Sequence, residues 1–269
     1  MVERKHAVTT EAELVTYELR GEVALLGLNR PDKRNAISDR FVEALADAIE
    51  RARTEAKAGV IFGNGRHFCA GLDLSEHVKK SAFEGVESSR RWHEVFGRIE
   101  FGPIPWFCAL HGAVVGGGLE LASSAQVRVA DETTFFALPE GQRGIFVGGG
   151  GSVRTARLMG VARMTDMMLT GRSIDADTGE RWNLAQYVVP AGKSIEKALE
   201  LARQAATNAE LSNYAVINVL PRMPEMSRDD GLMMESFISS FTATSPEAEE
   251  RLIAFLEKRA AKVAAPGGR

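Results

Sequence analysis

Short apolar runs alternate with longer stretches of helical periodicity along the first two thirds of the chain. The runs have no polar alternation, which is typical of strands that are buried on both faces of a sheet. They are Val23–Leu28, residues 59–62, Trp106–Leu110 and residues 127–130. A last extended segment, residues 187–190, ends in a proline. The pattern therefore predicts several buried strands with helices between them.

Helices are predicted where apolar residues recur at intervals of three or four. Ser38 is a suitable N-cap for the first of them, and Ser245 followed by Pro246 marks the start of the last. The apolar stripe of the first helix is Phe41, Leu45, Ala48, Ile49 and Ala52. A similar stripe in the last third is Ile195, Ala198, Leu199, Ala202 and Ala205. Each stripe gives its helix one face that can be buried against a core.

Strands mixed with helices, followed by helices alone, predict an α/β protein with a helical C-terminal part. The change falls within residues 181–193, so we divide the chain into a core of residues 1–190 and a helical region of residues 191–269. Pro221 and Pro224 exclude a continuous helix across the segment that contains them.

Composition narrows the class of protein. The 269 residues carry a formal charge of −3, which gives no reason to expect nucleic acid as a partner. Residues 1–13 lack the apolar core of a signal peptide, and no apolar run approaches the ~18 residues of a membrane span. Cys69 and Cys108 have neither metal nor redox spacing and fit buried thiols. We expect a cytoplasmic protein without a metal ion.

The clearest chemical signal is a triple glycine that precedes a helix with an acid near its start. The segment reads Gly116, Gly117, Gly118, Leu119, Glu120. Unpaired N–H groups and the positive end of a helix dipole favour an oxyanion or a phosphate at such a place. A tight turn that packs the helix onto a strand explains the glycines equally well. No Gly-Lys-Ser/Thr follows, which argues against a P-loop.

Three further loops are candidates for chemistry. In residues 66–74 the backbone N–H after Gly71 offers a second donor, or else the loop is ordinary and Asp73 caps the next helix. Glu140 follows Pro139 and is either an acid/base group or, as is more common, a solvated surface carboxylate. The glycine run at residues 148–151 favours a packing role over phosphate binding, because the lysine of a phosphate loop is absent.

Together these segments resemble the signatures of the crotonase family, the enoyl-CoA hydratase/isomerase superfamily. Residues 68–74 are similar to its Ala-Gly-x-Asp loop, and residues 111–120 are similar to its second signature. Three more segments resemble family motifs and occur in the expected order, at residues 29–36, 169–172 and 255–259. The resemblance extends from about residue 21 to residue 259.

The resemblance implies a crotonase-type spiral of ββα units with a C-terminal helical trimerisation region, in a homotrimer or a dimer of trimers. It implies an acyl-CoA substrate, so that coenzyme A is part of the substrate and no separate cofactor is needed. The N–H groups of Leu72 and Gly117 would grip the thioester oxygen. Glu120 would activate water toward Cβ of a 2-enoyl-CoA, and Glu140 would supply the proton at Cα.

Binding of coenzyme A is also assigned by resemblance. The residues implied are Arg66, Ala70, Asp73, Leu74, Phe255 and Lys258. The last two would cover the ligand, with a neighbouring subunit as one source of them. Residues 83–99 line the acyl pocket in this family, and here they include Trp92 and Phe96, which suggests an aromatic or branched acyl group.

Three functions are in competition. The presence of both acids makes hydration of a 2-trans-enoyl-CoA to a 3-hydroxyacyl-CoA the leading hypothesis. The second is another reaction on the same fold, either a Δ3-Δ2 enoyl-CoA isomerase or a hydratase-lyase acting on an aromatic acyl-CoA. The third is a non-catalytic CoA-binding homologue, and the intact pair Glu120 and Glu140 argues against it.

Overall fold

The computed structural model describes residues 13–77 and 80–259, and these residues contain two β-sheets. The strands of the larger sheet are Val15–Arg20 (β1), Val23–Leu28 (β2), Ala58–Gly63 (β3), Trp106–Leu110 (β4), Val127–Asp131 (β6) and Tyr187–Val189 (β9). The strands of the smaller sheet are Ala113–Val115 (β5), Phe135–Ala137 (β7) and Ser173–Asp175 (β8). The larger sheet has the order β1-β2-β3-β4-β6-β9; only the β1–β2 pair is antiparallel among its neighbours.

Helices connect and cover the strands. In the first two thirds of the chain they are Asp39–Glu55 (α1), Leu74–His77 (α2), Ala82–Glu100 (α3), Gly117–Ala122 (α4), Gly151–Met159 (α5), Val161–Thr170 (α6) and Ala176–Arg181 (α7). The remaining helices are Ser194–Ala206 (α8), Glu210–Asn218 (α9), Arg228–Ala243 (α10) and Pro246–Leu256 (α11). Short 3₁₀ segments lie at Pro31–Lys33, Gly141–Arg143 and Leu220–Glu225.

The larger sheet is buried on both faces, as its unalternated strands predict. Ile61 and Cys108 belong to the core shared with α1 and α3. Their neighbours Val60 and Phe107 point to the other face, where α8 packs. Because successive side chains of a strand point to opposite faces, two buried faces require apolar residues at every position.

The smaller sheet joins the first signature loop to the second. Isolated bridges pair Cys69 with Val114 of β5 and Leu72 with Ile37. The N–H of Cys69 donates to the carbonyl oxygen of Ala113 at 3.0 Å, and the N–H of Val115 donates to that of Cys69 at 3.1 Å. These backbone bonds bring the loop after β3 alongside the loop after β4, at the carboxyl ends of both parallel strands.

The C-terminal helices α9, α10 and α11 have few buried side chains in a single chain. Large apolar residues of α10, among them Phe237 and Phe241, are exposed by 64% and 62%. No helix within residues 13–77 and 80–259 is long and apolar enough to cross a membrane. The N-terminal segment that we interpret as lacking a signal peptide lies, apart from Glu13, outside the described residues.

The mixed α/β architecture and the helical C-terminal part agree with the prediction from sequence. The division at residue 190 stays a prediction, although α8, which follows it, packs on the larger sheet. The helix after the triple glycine begins earlier than its apolar residues suggest, with Gly116 as N-cap and Gly117 as its first residue. The very short strands β5, β7 and β8 have no distinctive periodicity, because three residues cannot display one.

Candidate active site

A cavity of about 100 Å³ lies where the loop of residues 68–74 meets the triple-glycine segment of residues 111–120. The loop after β3 contributes Leu72, and α4 contributes Gly117 and Glu120. The remaining lining residues come from α3 and from residues 140–149, and they are Gly85, Ser88, Ser89, Trp92, Glu140, Ile145, Phe146, Gly148 and Gly149. Four residues that the sequence analysis assigns to catalysis therefore line one cavity.

Two backbone N–H groups are available as donors at this cavity. Within the described part of the chain, neither the N–H of Leu72 nor that of Gly117 donates to a protein acceptor. The two groups are close in space, because a Cβ atom built on Gly117 would lie 3.5 Å from the Leu72 nitrogen. Two free donors beside one another form the geometry that stabilises an oxyanion in acyl-transfer sites.

The triple glycine is required by close packing as well as by backbone conformation. Gly116 has φ +53° and ψ −122°, a combination that a residue with a side chain avoids. A Cβ atom on Gly117 would lie 2.8 Å from the indole ring of Trp92. The two interpretations of this motif from sequence, tight packing and anion binding, are thus compatible, since close packing is what brings the donors together.

Glu120 is a buried carboxylate that is held by backbone donors. Its side chain is buried in α4, and its Oε1 accepts hydrogen bonds of 2.8 Å from the N–H groups of Gly149 and Gly151. Burial raises the pKa of Glu120 above its ordinary value, while the hydrogen bonds from residues 148–151 and the charge of Arg154 act in the opposite direction. The carboxylate is therefore oriented for chemistry although it is removed from bulk water.

Glu140 is buried in a different way. It precedes the 3₁₀ segment Gly141–Arg143, its residue is only 6% exposed, and its Oε2 has no hydrogen-bond partner among the described residues. Burial, reinforced by the charge of Glu120, raises the pKa of Glu140 to about 7, against its own backbone hydrogen bond and the charge of Arg143. The interpretation of Glu140 as a solvated surface group is wrong.

The two acids therefore differ in environment although they line the same cavity. Glu120 accepts two backbone hydrogen bonds on one oxygen, which favour its ionised form. Glu140 has an oxygen that no described residue hydrogen-bonds, which favours its protonated form. Two acids in different environments at one cavity are the arrangement that paired acid and base roles require.

One face of α3 forms a wall of the cavity. Gly85, Ser88, Ser89 and Trp92 lie on that face, at helical spacing. Trp92 is buried, and its ring packs against Phe96 with centroids 5.6 Å apart. A Cβ atom on Gly85 would meet none of the described residues within 4 Å, whereas the buried Trp92 forms the other end of this wall.

The residues predicted to contact coenzyme A lie in two separate parts of the molecule. Arg66, on the loop that carries Leu72, and Leu74, the first residue of α2, are both exposed. Ala70 donates its N–H to the carbonyl of Arg34 at 2.9 Å. Asp73 forms an ion pair with Arg30 at 3.1 Å and accepts bonds from Ser75, which hold the pKa of its carboxyl below the ordinary range. The hydrogen bonds from Ser75 agree with the alternative in which Asp73 caps the helix that follows it.

Phe255 and Lys258 lie at the end of α11, and neither lines the cavity of the same chain. Phe255 is 64% exposed. Helix α11 contacts α10, and its Arg251 donates to the carbonyl of Thr207 beyond the end of α8. Their role toward coenzyme A stays a prediction.

Sequence reasoning missed the part played by the glycine run at residues 148–151. A packing role was favoured, but the run donates two N–H groups to Glu120. The only available signal was a cluster of glycines before a helix, and that signal does not say which group the N–H donors face. Cys69 and Cys108 are buried as predicted, and burial raises the pKa of each thiol to about 12.

Comparison with known proteins places these features in one family. The sequence model described as enoyl-CoA hydratase/isomerase matches residues 18–265. The chain is 34% identical over 239 residues to the 2,3-dehydroadipyl-CoA hydratase of Escherichia coli K12, covering 88% of this chain and 93% of that one. It is 29% identical over 252 residues to the short-chain-enoyl-CoA hydratase of Clostridium acetobutylicum, covering 93% and 97% of the two chains.

Solved structures agree with the sequence comparison. A candidate enoyl-CoA hydratase from Rhodopseudomonas palustris superposes with a TM-score of 0.89 at 48% identity, covering 93% of this chain and 97% of that one. The enoyl-CoA hydratase of Bacillus anthracis superposes with a TM-score of 0.86 at 27% identity, covering 93% and 98%.

Proposed function

The chain belongs to the enoyl-CoA hydratase/isomerase family, with its crotonase-type α/β fold, and on this basis we propose that it hydrates 2-trans-enoyl-CoA thioesters to 3-hydroxyacyl-CoA. The observation that carries the proposal is the meeting of Glu120 and Glu140 in a cavity that also exposes two unpaired backbone N–H groups. Relatives named as enoyl-CoA hydratases support the same reaction type.

The oxyanion hole would act on the thioester oxygen. With the N–H groups of Leu72 and Gly117 donating to this oxygen, electron density is drawn from Cβ through the conjugated double bond. Cβ becomes electrophilic, and the enolate that forms is stabilised by donors that need not reorganise. One donor of this kind contributes about 3–4 kcal/mol to stabilisation of the transition state in acyl-transfer enzymes.

The two acids would complete the addition of water. Glu120, ionised, accepts a proton from water as the water oxygen bonds to Cβ. Glu140, protonated, gives its proton to Cα, so that one hydrogen and one hydroxyl are added across the double bond. A proton then passes from Glu120 to Glu140 through a water molecule, which returns both residues to their starting states. The pKa of Glu140, which burial raises to about 7, supports its assignment as the acid.

The acyl group is proposed to be short. The cavity of about 100 Å³ is closed by Trp92 at one end, and two serines, Ser88 and Ser89, line its open side. This wall supports small acyl groups better than the aromatic or branched groups that Trp92 and Phe96 suggest in the sequence. The name of one relative, a short-chain-enoyl-CoA hydratase, supports a short acyl group.

Product analysis separates this function from its competitors. Incubation with crotonyl-CoA should yield 3-hydroxybutyryl-CoA, and incubation with a 3-enoyl-CoA should yield little 2-enoyl-CoA. Rapid shift of the double bond without net hydration would instead favour the Δ3-Δ2 isomerase, and release of an aromatic aldehyde from a hydrated cinnamoyl-type thioester would favour the hydratase-lyase. Binding of acyl-CoA without turnover of any of these would favour the non-catalytic homologue.

We also propose that the protein assembles as a trimer or a dimer of trimers. Many exposed large apolar side chains on two neighbouring helices indicate an interaction site. The exposed large apolar residues of α10 and α11 are Leu232, Met233, Phe237, Phe241, Leu252, Ile253, Phe255 and Leu256. Assembly through this region would also allow Phe255 and Lys258 to approach the coenzyme A of a neighbour.

A further inference from the structure

The loop that holds Glu120 is itself held from outside by an ion pair between α3 and α5. Arg154 Nε donates to Oε2 of Glu100 at 2.5 Å, and Arg154 Nη1 donates to the carbonyl oxygen of Gly149 at 2.9 Å. The two side chains are only 10% and 18% exposed. A desolvated ion pair contributes little net stability, so the geometry that it imposes is the property to consider.

The contacts of Arg154 and of Glu120 meet at a single residue of the loop. Gly149 accepts from Arg154 through its carbonyl oxygen and donates to Glu120 through its N–H. Gly150, which follows, has φ +99°, and the guanidinium occupies the space that a side chain there would need. The turn therefore wraps around Arg154, and this turn directs the Gly151 N–H to the same carboxylate oxygen.

We propose that Arg154 and Glu100 are positioning residues for Glu120. Arg154 fixes the peptide after Gly149, Glu100 fixes the guanidinium, and the loop transmits this order to the carboxylate through two hydrogen bonds. Neither residue is required to touch the substrate. The inference rests on the proposed catalytic role of Glu120, and it adds a chain of contacts that ends at the C-terminal end of α3.

The pair acts on the loop and not on the whole fold. The carbonyl of Gly148 is held separately by the hydroxyl of Ser89, which donates at 2.6 Å. Removal of Arg154 therefore leaves one anchor of the loop in place, and it leaves the donors at Leu72 and Gly117 untouched. The expected defect is a misplaced base in an otherwise intact substrate site, and a displacement of about 1 Å can cost about 100-fold in rate.

The test measures catalysis and binding separately. In the full-length protein, Arg154→Met removes both donors and keeps most of the aliphatic stem. We expect kcat for crotonyl-CoA to fall about 10- to 100-fold, because Glu120 loses its orientation. The dissociation constant for butyryl-CoA, which binds but cannot be hydrated, should change less than about twofold, because the oxyanion donors are retained. Arg154→Lys should recover only part of kcat, since one ammonium cannot reproduce the planar fork.

Matched variants keep the inference falsifiable. Arg157→Met, one turn further along α5, removes an exposed arginine that pairs with Glu225, and it should retain wild-type kcat. Glu100→Gln should lower kcat less than Arg154→Met, and the double variant should lose no more than Arg154→Met alone. The single variant Glu100→Gln therefore still tests the inference if Arg154→Met does not fold. Wild-type kcat in both Arg154→Met and Glu100→Gln overturns the inference, as does an equal loss of kcat and butyryl-CoA binding.

Glu120→Gln, measured in parallel, separates failure of this inference from failure of the proposed function. If Glu120→Gln hydrates crotonyl-CoA at the wild-type rate, the role of Glu120 is wrong and the positioning inference fails with it. If Glu120→Gln is inactive while Arg154→Met is fully active, only the positioning inference is overturned.

Discussion

Gly116 and Glu140 are in such close contact that a Cβ atom on Gly116 would lie 2.6 Å from Oε1 of the glutamate. Gly116 also precedes the donor Gly117, and its φ of +53° is unfavourable for any residue with a side chain. One glycine therefore allows both the close approach of the proposed acid and the orientation of a proposed oxyanion donor.

Gly116→Ala should lower kcat for crotonyl-CoA by about 100-fold or more, because it displaces Glu140 and strains the turn before Gly117. Steady-state kinetics on folded protein provides the measurement. Gly97→Ala is the matched control, since a Cβ there meets nothing within 4 Å and should stabilise α3 by about 0.5–1 kcal/mol. An active Gly116→Ala enzyme would contradict the packing argument.

Glu120→Gln and Glu140→Gln should each reduce kcat by about 10²–10⁴-fold while leaving binding of butyryl-CoA largely intact, because each amide removes one proton-transfer group and keeps its shape. Glu132→Gln, at an exposed glutamate, should have wild-type kinetics. Full hydration activity in Glu140→Gln would refute the acid role assigned to that residue.

Stability should fall with rising pH because of Glu140. Its carboxyl titrates near 4.5 in the unfolded chain and at about 7 in the folded one, so the folded protein binds the extra proton between these values. Stability from this group is therefore greatest below pH 4.5 and is lost as the pH rises to about 7. The free energy of unfolding changes by at most about 3 kcal/mol through this group, since one pKa unit corresponds to about 1.36 kcal/mol.

Urea unfolding of wild type and Glu140→Gln at pH 5 and pH 8, at one protein concentration, measures this effect. We expect the variant to gain stability relative to wild type as the pH rises, because the amide cannot ionise. A difference between the two proteins that is the same at both pH values would show that Glu140 does not have the raised pKa.

Trp92 should limit the length of the acyl group. Trp92→Phe shortens the side chain that closes the cavity, so the ratio of kcat/KM for 2-hexenoyl-CoA to that for crotonyl-CoA should rise about tenfold, as expected for one or two methylene groups gaining space. Phe96→Leu, which changes the ring behind Trp92 without lining the cavity, is the control and should leave the ratio near its wild-type value. Equal ratios in all three proteins would place the acyl group elsewhere.

The exposed face of α10 should carry the subunit interface. Phe237→Asp combined with Phe241→Asp should convert a trimer or hexamer into smaller species, because charges replace apolar side chains that association would bury. Sedimentation velocity reads the change directly. Leu19→Asp on β1, at a residue that is 43% exposed, should leave the assembly unaltered. A wild-type protein that sediments as a monomer would refute the proposed assembly.

The strands of the larger sheet could be predicted from sequence because burial on both faces requires apolar residues at successive positions. Val23–Leu28 and Trp106–Leu110 are apolar at every position, and the structure gives them the bounds that the pattern indicates. The three-residue strands of the smaller sheet are too short to show such a pattern. Their pairing depends on contacts between distant segments, such as the bridge between Cys69 and Val114.

Sequence also selected the catalytic candidates, because their types and spacing match family motifs. It misjudged two local environments. Glu140 was expected on local grounds to be solvated, and the structure buries it. The glycine run at residues 148–151 was assigned to packing, and its N–H groups face Glu120. The local sequence shows which donors and acids are present. The hydrogen-bond partner of each depends on which distant segments of the chain pack against it.

The sequence by itself determined the α/β class, the helical C-terminal third and the identity of the two acids, since these follow from periodicity and from motifs within a few residues. Only the tertiary structure decided that Leu72 and Gly117 expose neighbouring N–H groups. It also decided that Glu120 is hydrogen-bonded, while one oxygen of Glu140 has no partner in the described part of the chain. The physical reason is that desolvation and hydrogen bonding depend on which distant groups surround a side chain, and those neighbours exist only once the chain has folded.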